Sequence, residues 1–414
     1  MNYRTPTATL AALTLLLLAG CSTAPAPGND AGVSGPAAAG DGHGSITGAA
    51  EVAEPQLHLV SMDADGKASM LDLLTGTESE LPATEPPSTV SSEGRYVFAA
   101  NDTGVDILDS GVWSWDHVDH FHYYRAEPGA VGRLTGAGTA TISTGMLSTA
   151  GGTGVFFPGS GDAVLLDNSA LSEGSISEKL RLHTEPHKGL IAPLGDGAVV
   201  TAPDQAGRTV SLRAVDADGK EAATIGCTDA AGTITTRVGL VIGCSDGAVI
   251  ATLDGTSPVL EHVPYPDAAA AAATAFNGRK GRPTVAGVGD GAGVWLLDTR
   301  ERSWNWLPTE TPVLAAAAVD DAEEHVVVVG ADGTVKVYDA STGKRIAATE
   351  PLLAATLADP SMVEKVQLTV DGQRAYVNAP AEGVVFEIDY ADAARIARTL
   401  ELPTTPVHVA EVGR

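Results

Sequence analysis

From residue 55 onward the chain alternates short apolar runs with tight polar turns, and no long stretch carries apolar residues at helical spacing. The runs are four to six residues long and rich in β-branched side chains, and Asp-Gly and similar pairs supply the positive-φ positions that close hairpins. The glycines that break each central hairpin are Gly66, Gly104, Gly161, Gly207, Gly247, Gly291, Gly333 and Gly383. Their mean spacing of roughly 45 residues is the size of a four-stranded propeller blade. The clearest unit has an inner strand from Leu314 through Ala318, then Val326 to Val329, the Asp332-Gly333 turn, Val335 to Tyr338, and an outer strand Arg345 to Ala348. The pattern predicts an all-β fold, a β-propeller of eight blades. Seven is the competing count, because the unit between Gly104 and Gly161 is long and irregular.

The ends of this repeat predict how the ring closes. Gln56 to Leu81 holds only three strands, and Pro406 to Val412 is one lone strand after the last complete unit. Joined, they make one composite blade and remove the free sheet edges that would otherwise pair with other chains. No Pro/Ser linker divides residues 55–414, so they are expected to form a single domain and a monomer.

The first 54 residues have a different character. Arg4 provides a short positive region, Ala8 to Leu18 an apolar run too short to span a bilayer, and Leu18-Ala19-Gly20-Cys21 looks like a bacterial lipobox. Residues 1–21 are therefore expected to be a lipoprotein signal, with Cys21 taking the lipid and anchoring an extracytoplasmic protein to the membrane. Residues 22–54 are Ala, Gly, Pro, Ser and Thr with a few acids and no aromatic residue, and are expected to be a flexible tether. His43 stands alone in it.

Composition then narrows the function. A formal charge of -27 argues against a nucleic-acid partner, which needs clustered Lys and Arg. Besides Cys21 the chain has only Cys227 and Cys244, an even pair in an oxidising compartment. A disulfide stapling adjacent blades is the economical reading; a two-thiolate metal site is the alternative.

The candidate chemistry gathers in the long second unit, at Trp113-Ser114-Trp115-Asp116-His117-Val118-Asp119-His120-Phe121-His122-Tyr123-Tyr124. Three of the ten histidines fall within six residues there, which sets this segment apart from any lone histidine. On a strand His120 and His122 point to one face, and His117 and Asp119 can reach back from the preceding loop. Imidazole nitrogen and carboxylate oxygen suit zinc, with nickel and copper also possible. His187 and His408 each follow a Pro that introduces an innermost strand, which puts both at the mouth of a central channel. His183 is a further candidate. His58, His262 and His325 are isolated and read as structural or solvated. Up-and-down strand bookkeeping starts His120 and His122 at the opposite end of a blade from His187 and His408, so one shared site requires the insertion to fold inward.

The segment Asp116 to Pro128 resembles the His-rich signature of the periplasmic zinc metallochaperones of the AztD type, which serve zinc ABC importers. Pro186-His187-Lys188-Gly189 with Pro193 to Gly197, and Gly243-Cys244-Ser245-Asp246-Gly247, resemble two further family segments. Lys188 and Ala230-Ala231-Gly232 depart from the family pattern, at positions where members often carry histidine. The resemblance implies zinc binding and delivery of zinc to the solute-binding protein of a zinc ABC importer, with no catalysis. A metal-independent binding scaffold and a propeller hydrolase of the lactonase kind are the rival readings. No ring of polar residues and no Ser-His-Asp order supports the latter.

Overall fold

In the computed structural model, residues 46, 48–116, 120–266, 271–289 and 291–414 are described. The expected signal, Cys21 and His43 lie outside them, as do His117 and Asp119. Among the described residues no helix is long and apolar enough to cross a membrane.

The described residues are all-β apart from three short helical turns, Asn168–Ser172, Ala354–Ala358 and Pro360–Val363. The described strands form eight four-stranded antiparallel sheets and one three-stranded sheet. In a typical unit Val313–Ala318, His325–Gly330, Val335–Asp339 and Lys344–Ala348 pair in chain order, within a residue or two of the predicted boundaries. The two middle strands read as near-continuous apolar runs because both their faces are covered. All six residues of His325–Gly330 are buried, whereas Lys344–Ala348 is largely exposed. Adjacent sheets share cores: Val327, Val329, Val335 and Val337 pack with Val370, Val377 and Ile388 of the next unit.

Two glycines show different reasons for the repeat. Gly333 turns its hairpin at φ +77°, where an L side chain is strained, whereas a Cβ on Gly104 would meet the Leu134 carbonyl at 2.5 Å. The first needs a conformation and the second needs space.

The two ends of the repeat join in one sheet as expected: His408–Val412 pairs antiparallel with His58–Met62, which continues to Ala68–Asp72 and Glu78–Leu81. Innermost strands from several sheets line one chamber of about 260 Å³, with Ser92, Thr144, Thr235, Asn277, Thr369 and Ala410 in its wall. Buried charges sit in it too. Burial pushes the Glu93 carboxyl up, the Lys280 ammonium down, and the Glu411 carboxyl up to about 7 against the pull of Arg414.

Cys227 and Cys244 form a disulfide, with Cα atoms 5.1 Å apart. Cys227 follows the outermost strand Glu221–Gly226 of one sheet and Cys244 ends the second strand, Leu240–Cys244, of the next, so the bond staples neighbouring sheets. This decides the pair against the two-thiolate metal reading.

Candidate metal centre at the histidine hairpin

The long second unit is a four-stranded sheet of Thr89–Ser92, Tyr96–Asn101, Gly104–Asp109 and Gly129–Thr135, with a separate hairpin inserted before the last strand. The hairpin pairs Val112–Asp116 with Phe121–Arg125, setting Trp113 opposite Tyr124 and Trp115 opposite His122. The strand period of two then sorts its residues. One face buries Trp113 stacked on Tyr124 at 5.0 Å, with the Arg95 guanidinium 3.8 Å from the indole centre. His122 shares that face, between Trp115 and Tyr124. Ser114, Asp116, Phe121 and Tyr123 take the opposite face and line a groove.

A third strand completes this sheet from within the stretch expected to be tether: Ala50–Val52 pairs antiparallel with Phe121–Arg125. Ordered structure thus begins ahead of Glu54, and the reason is the unpaired edge of the hairpin, which offers ladder partners to any extended segment beside it. The pairing brings Glu51 to the histidines.

His120 and His122 converge. Their Nε2 atoms are 2.9 Å apart, and the Nδ1 of His122 is 2.6 Å from a carboxylate oxygen of Glu51. With Nδ1 donating to the carboxylate, the Nε2 of His122 is an acceptor and the Nε2 of His120 donates to it. Two imidazoles on one tetrahedral zinc, with Zn–N near 2.05 Å, hold their nitrogens about 3.3 Å apart. A small opening of the pair therefore admits the ion in place of the shared proton. Glu51 is placed as carboxylates usually are behind metal-bound histidines, fixing the ring and its tautomer. His122 is buried and His120 exposed, so an ion held here stays within reach of solvent. His117 and Asp119, predicted to complete the set, lie outside the described residues.

The other predicted ligands are elsewhere. The hairpin lies where innermost strands finish: Ser114 Oγ donates to the Gly413 carbonyl at 2.9 Å, and the Arg237 guanidinium pairs with Asp116 at 2.9 Å just beyond Ala231–Thr235. His408 opens the strand that Gly413 follows, so about 17 Å of extended chain separates it from this contact. His187 likewise precedes its innermost strand, Ile191–Leu194. The inward fold that a site shared with His187 and His408 requires is not the one observed, because the insertion stays at the strand-finish end.

His187 is also occupied. Its Nδ1 donates to the Glu185 carbonyl at 2.7 Å and its Nε2 meets the Thr201 hydroxyl at 2.8 Å, and burial lowers its pKa. Burial, reinforced by Lys365, pushes His408 down to about 4. His183 is exposed, with its Nδ1 3.3 Å from Asp162.

Sequence reasoning missed Glu51, which local spacing could not connect to a histidine 71 residues away. It also read His325 as isolated. Among the described residues, Asp321, Glu323 and His325 bring three metal-type ligand atoms within 4.8 Å of one another. There Asp321 receives both the backbone N–H of His325 at 2.9 Å and its Nδ1 at 2.6 Å, which locks the turn into the strand.

No family model matches the chain. In sequence it is 26% identical over 206 residues to the zinc chaperone AztD of Citrobacter koseri, a match spanning 48% of this chain and about half, 48%, of that relative. In structure it superposes on the crystal structure of Citrobacter koseri AztD with a TM-score of 0.75 at 21% identity, covering 87% of this chain and 98% of that one. The apo AztD structure from the same organism gives 0.74 at 20% identity over the same shares. The dihydro-heme d1 dehydrogenase NirN, in complex with DHE, is more distant, at 0.56 and 16% identity over 86% of this chain and 75% of that one. The chain is thus similar to the zinc chaperone AztD of Citrobacter koseri in sequence along just under half of its length and in fold along most of it.

Proposed function

We propose that this protein is an extracytoplasmic zinc carrier: an eight-bladed propeller with its ring closed by both termini, lipid-anchored through Cys21, which hands zinc to the solute-binding protein of a zinc ABC importer. The observation that carries the reading is the converging Nε2 pair of His120 and His122, backed by Glu51. Similarity to a zinc chaperone supports the choice of zinc over nickel or copper.

Zinc here is cargo. His120 and His122 supply neutral imidazoles, Glu51 holds the His122 ring, and His117 and Asp119 from the connecting loop are the remaining ligands in this reading. A carrier must hold scarce metal tightly yet release it by ligand exchange. An exposed His120 beside a buried His122 suits stepwise exchange, the outer imidazole leaving first as an incoming ligand binds.

Two measurements test this. Protein purified without chelator or affinity tag should contain zinc, and the loaded protein should fill an apo solute-binding protein faster than a chelator at matched concentration strips it. Equal rates would refute direct delivery, and absence of metal would refute the carrier itself. The anchor is tested separately: Cys21→Ser should release the protein from the membrane, and a wild type free in the medium with an unmodified N-terminus would refute it.

A further inference from the structure

The groove beside the histidine hairpin has a volume of about 520 Å³ and a charge opposite to that of the whole chain. Arg237, Arg279, Lys280, Arg282 and Arg414 line it against only Asp116 and Asp371, in a protein with 52 acids and 25 Lys and Arg. Much of this charge comes from Arg279-Lys280-Gly281-Arg282; nowhere else does the sequence place three cations in four residues. The run follows the innermost strand Ala275–Asn277, so the fold delivers it to the end of the ring where the hairpin lies.

The cations differ in how far they are already neutralised. Arg237 pairs with Asp116, Arg282 with Asp320 and Arg414 with Glu411, while Lys280 donates to the Arg414 carbonyl at 3.0 Å. Among the described residues the Arg279 guanidinium has neither an ion pair nor a hydrogen bond, and it lies against the backbone of Gly372. The groove's other component is apolar. Phe121 and Leu147 are each about half exposed, and Tyr123, Met146 and Leu57 continue the surface. A patch that joins exposed aromatic area to unneutralised guanidinium has the composition of a recognition surface.

We propose that this groove docks an acidic loop of the protein that takes the zinc, a segment carrying carboxylates around one aromatic or aliphatic residue. The proposal rests on the carrier reading and names the partner's contact chemistry. Charge complementarity selects the occupant: a molecule of net charge -27 repels another acidic protein everywhere except where its own sign is reversed. The reversed patch lies on the other face of the same hairpin, at Phe121 between the two histidines, so a loop bound there holds the partner against the element that carries the pair.

The test uses the mature protein and a fluorescent peptide of Asp and Glu bearing one Phe, with a counterpart in which Lys replaces the acids. The acidic peptide should bind, weaken as NaCl rises from about 50 to 500 mM, and lose at least about tenfold in affinity with Arg279→Glu, less with Arg279→Gln. Because Arg279 holds no internal ion pair, neither substitution removes a bridge from the fold, and zinc affinity measured by chelator competition should be unchanged. Equal binding of the two peptides, or wild-type binding by Arg279→Glu, would overturn the groove assignment even if the protein carries zinc. A protein that binds the acidic peptide as expected but no zinc would keep the groove as an acidic-peptide site and refute the carrier reading.

Discussion

Removing the Glu51 carboxylate is the sharpest test of the proposed metal centre, because in that proposal Glu51 is not itself a ligand and acts through His122. Its oxygen is 2.6 Å from the Nδ1 of His122, close enough for a charge-assisted hydrogen bond. That bond keeps the Nε2 lone pair directed at His120 and raises the basicity of the ring toward zinc. Partners of this kind change metal affinity by about 10- to 100-fold, or about 1.4 to 2.7 kcal/mol. Glu51→Gln keeps an oxygen acceptor and loses the charge, so it should fall at the weak end, near tenfold. Glu51→Ala loses both and should approach a hundredfold. The strand itself is held by backbone pairing of Ala50–Val52 with Phe121–Arg125, so Ala leaves the ladder in place. Competition with a zinc indicator of known affinity at pH 7.5, together with far-UV circular dichroism, reads the effect. Zinc affinity within twofold of wild type in Glu51→Ala would refute the role of Glu51, and an equal loss in Gln and Ala would refute the argument that Gln retains the hydrogen bond.

The double change of His120 and His122 to Ala should abolish most zinc binding without unfolding the protein; unchanged stoichiometry and affinity would move the site elsewhere. Replacing Cys227 and Cys244 by Ser removes a cross-link between residues 17 apart and should cost about 3 kcal/mol in urea unfolding, whereas two free thiols in denatured, unreduced wild type would exclude the bond. Burial lowers His408 to about 4, so the folded state resists a proton that the unfolded chain accepts below about pH 6.5. Stability present above that pH is then lost as pH falls toward 4, by about 3 kcal/mol, and His408→Leu should remove this slope. Glu411 works in the opposite sense: its carboxyl, raised to about 7, contributes stability that is full below about pH 4.5 and lost as pH rises through 7. His408→Leu should therefore reduce the rise of the urea midpoint with pH between about 4 and 6.5 relative to wild type, and an unchanged slope would contradict the assignment.

The strand pattern was legible because each sheet of a repeat fold is a local object. Turn glycines, apolar middle strands and the incomplete units at the two ends all act over fewer than about 50 residues, the scale on which sequence spacing and spatial neighbourhood agree. The same locality explains why His120 and His122 were readable as a pair: two residues apart on one strand, they must share a face, and their Nε2 atoms meet. His187 and His408 were legible only as members of a repeat. Their equivalent positions ahead of innermost strands mark a common end of the sheets, and strand direction then separates that end from the hairpin.

What sequence left hidden joins distant parts of the chain. Glu51 reaches His122 across 71 residues, Arg237 reaches Asp116 across 121, and Ser114 reaches Gly413 across 299. None of the three has a local signature: an acid in a polar leader, an Arg after a strand and a Ser between two tryptophans are each ordinary in isolation. They come together because the inserted hairpin is fastened to the ends of two innermost strands from different sheets, at Gly413 after His408–Val412 and at Arg237 after Ala231–Thr235. The edge strand Ala50–Val52 then adds the carboxylate from a segment whose composition alone reads as tether. A repeat sequence announces its sheets; what gathers between them depends on which strand ends become neighbours, a property that no single repeat contains.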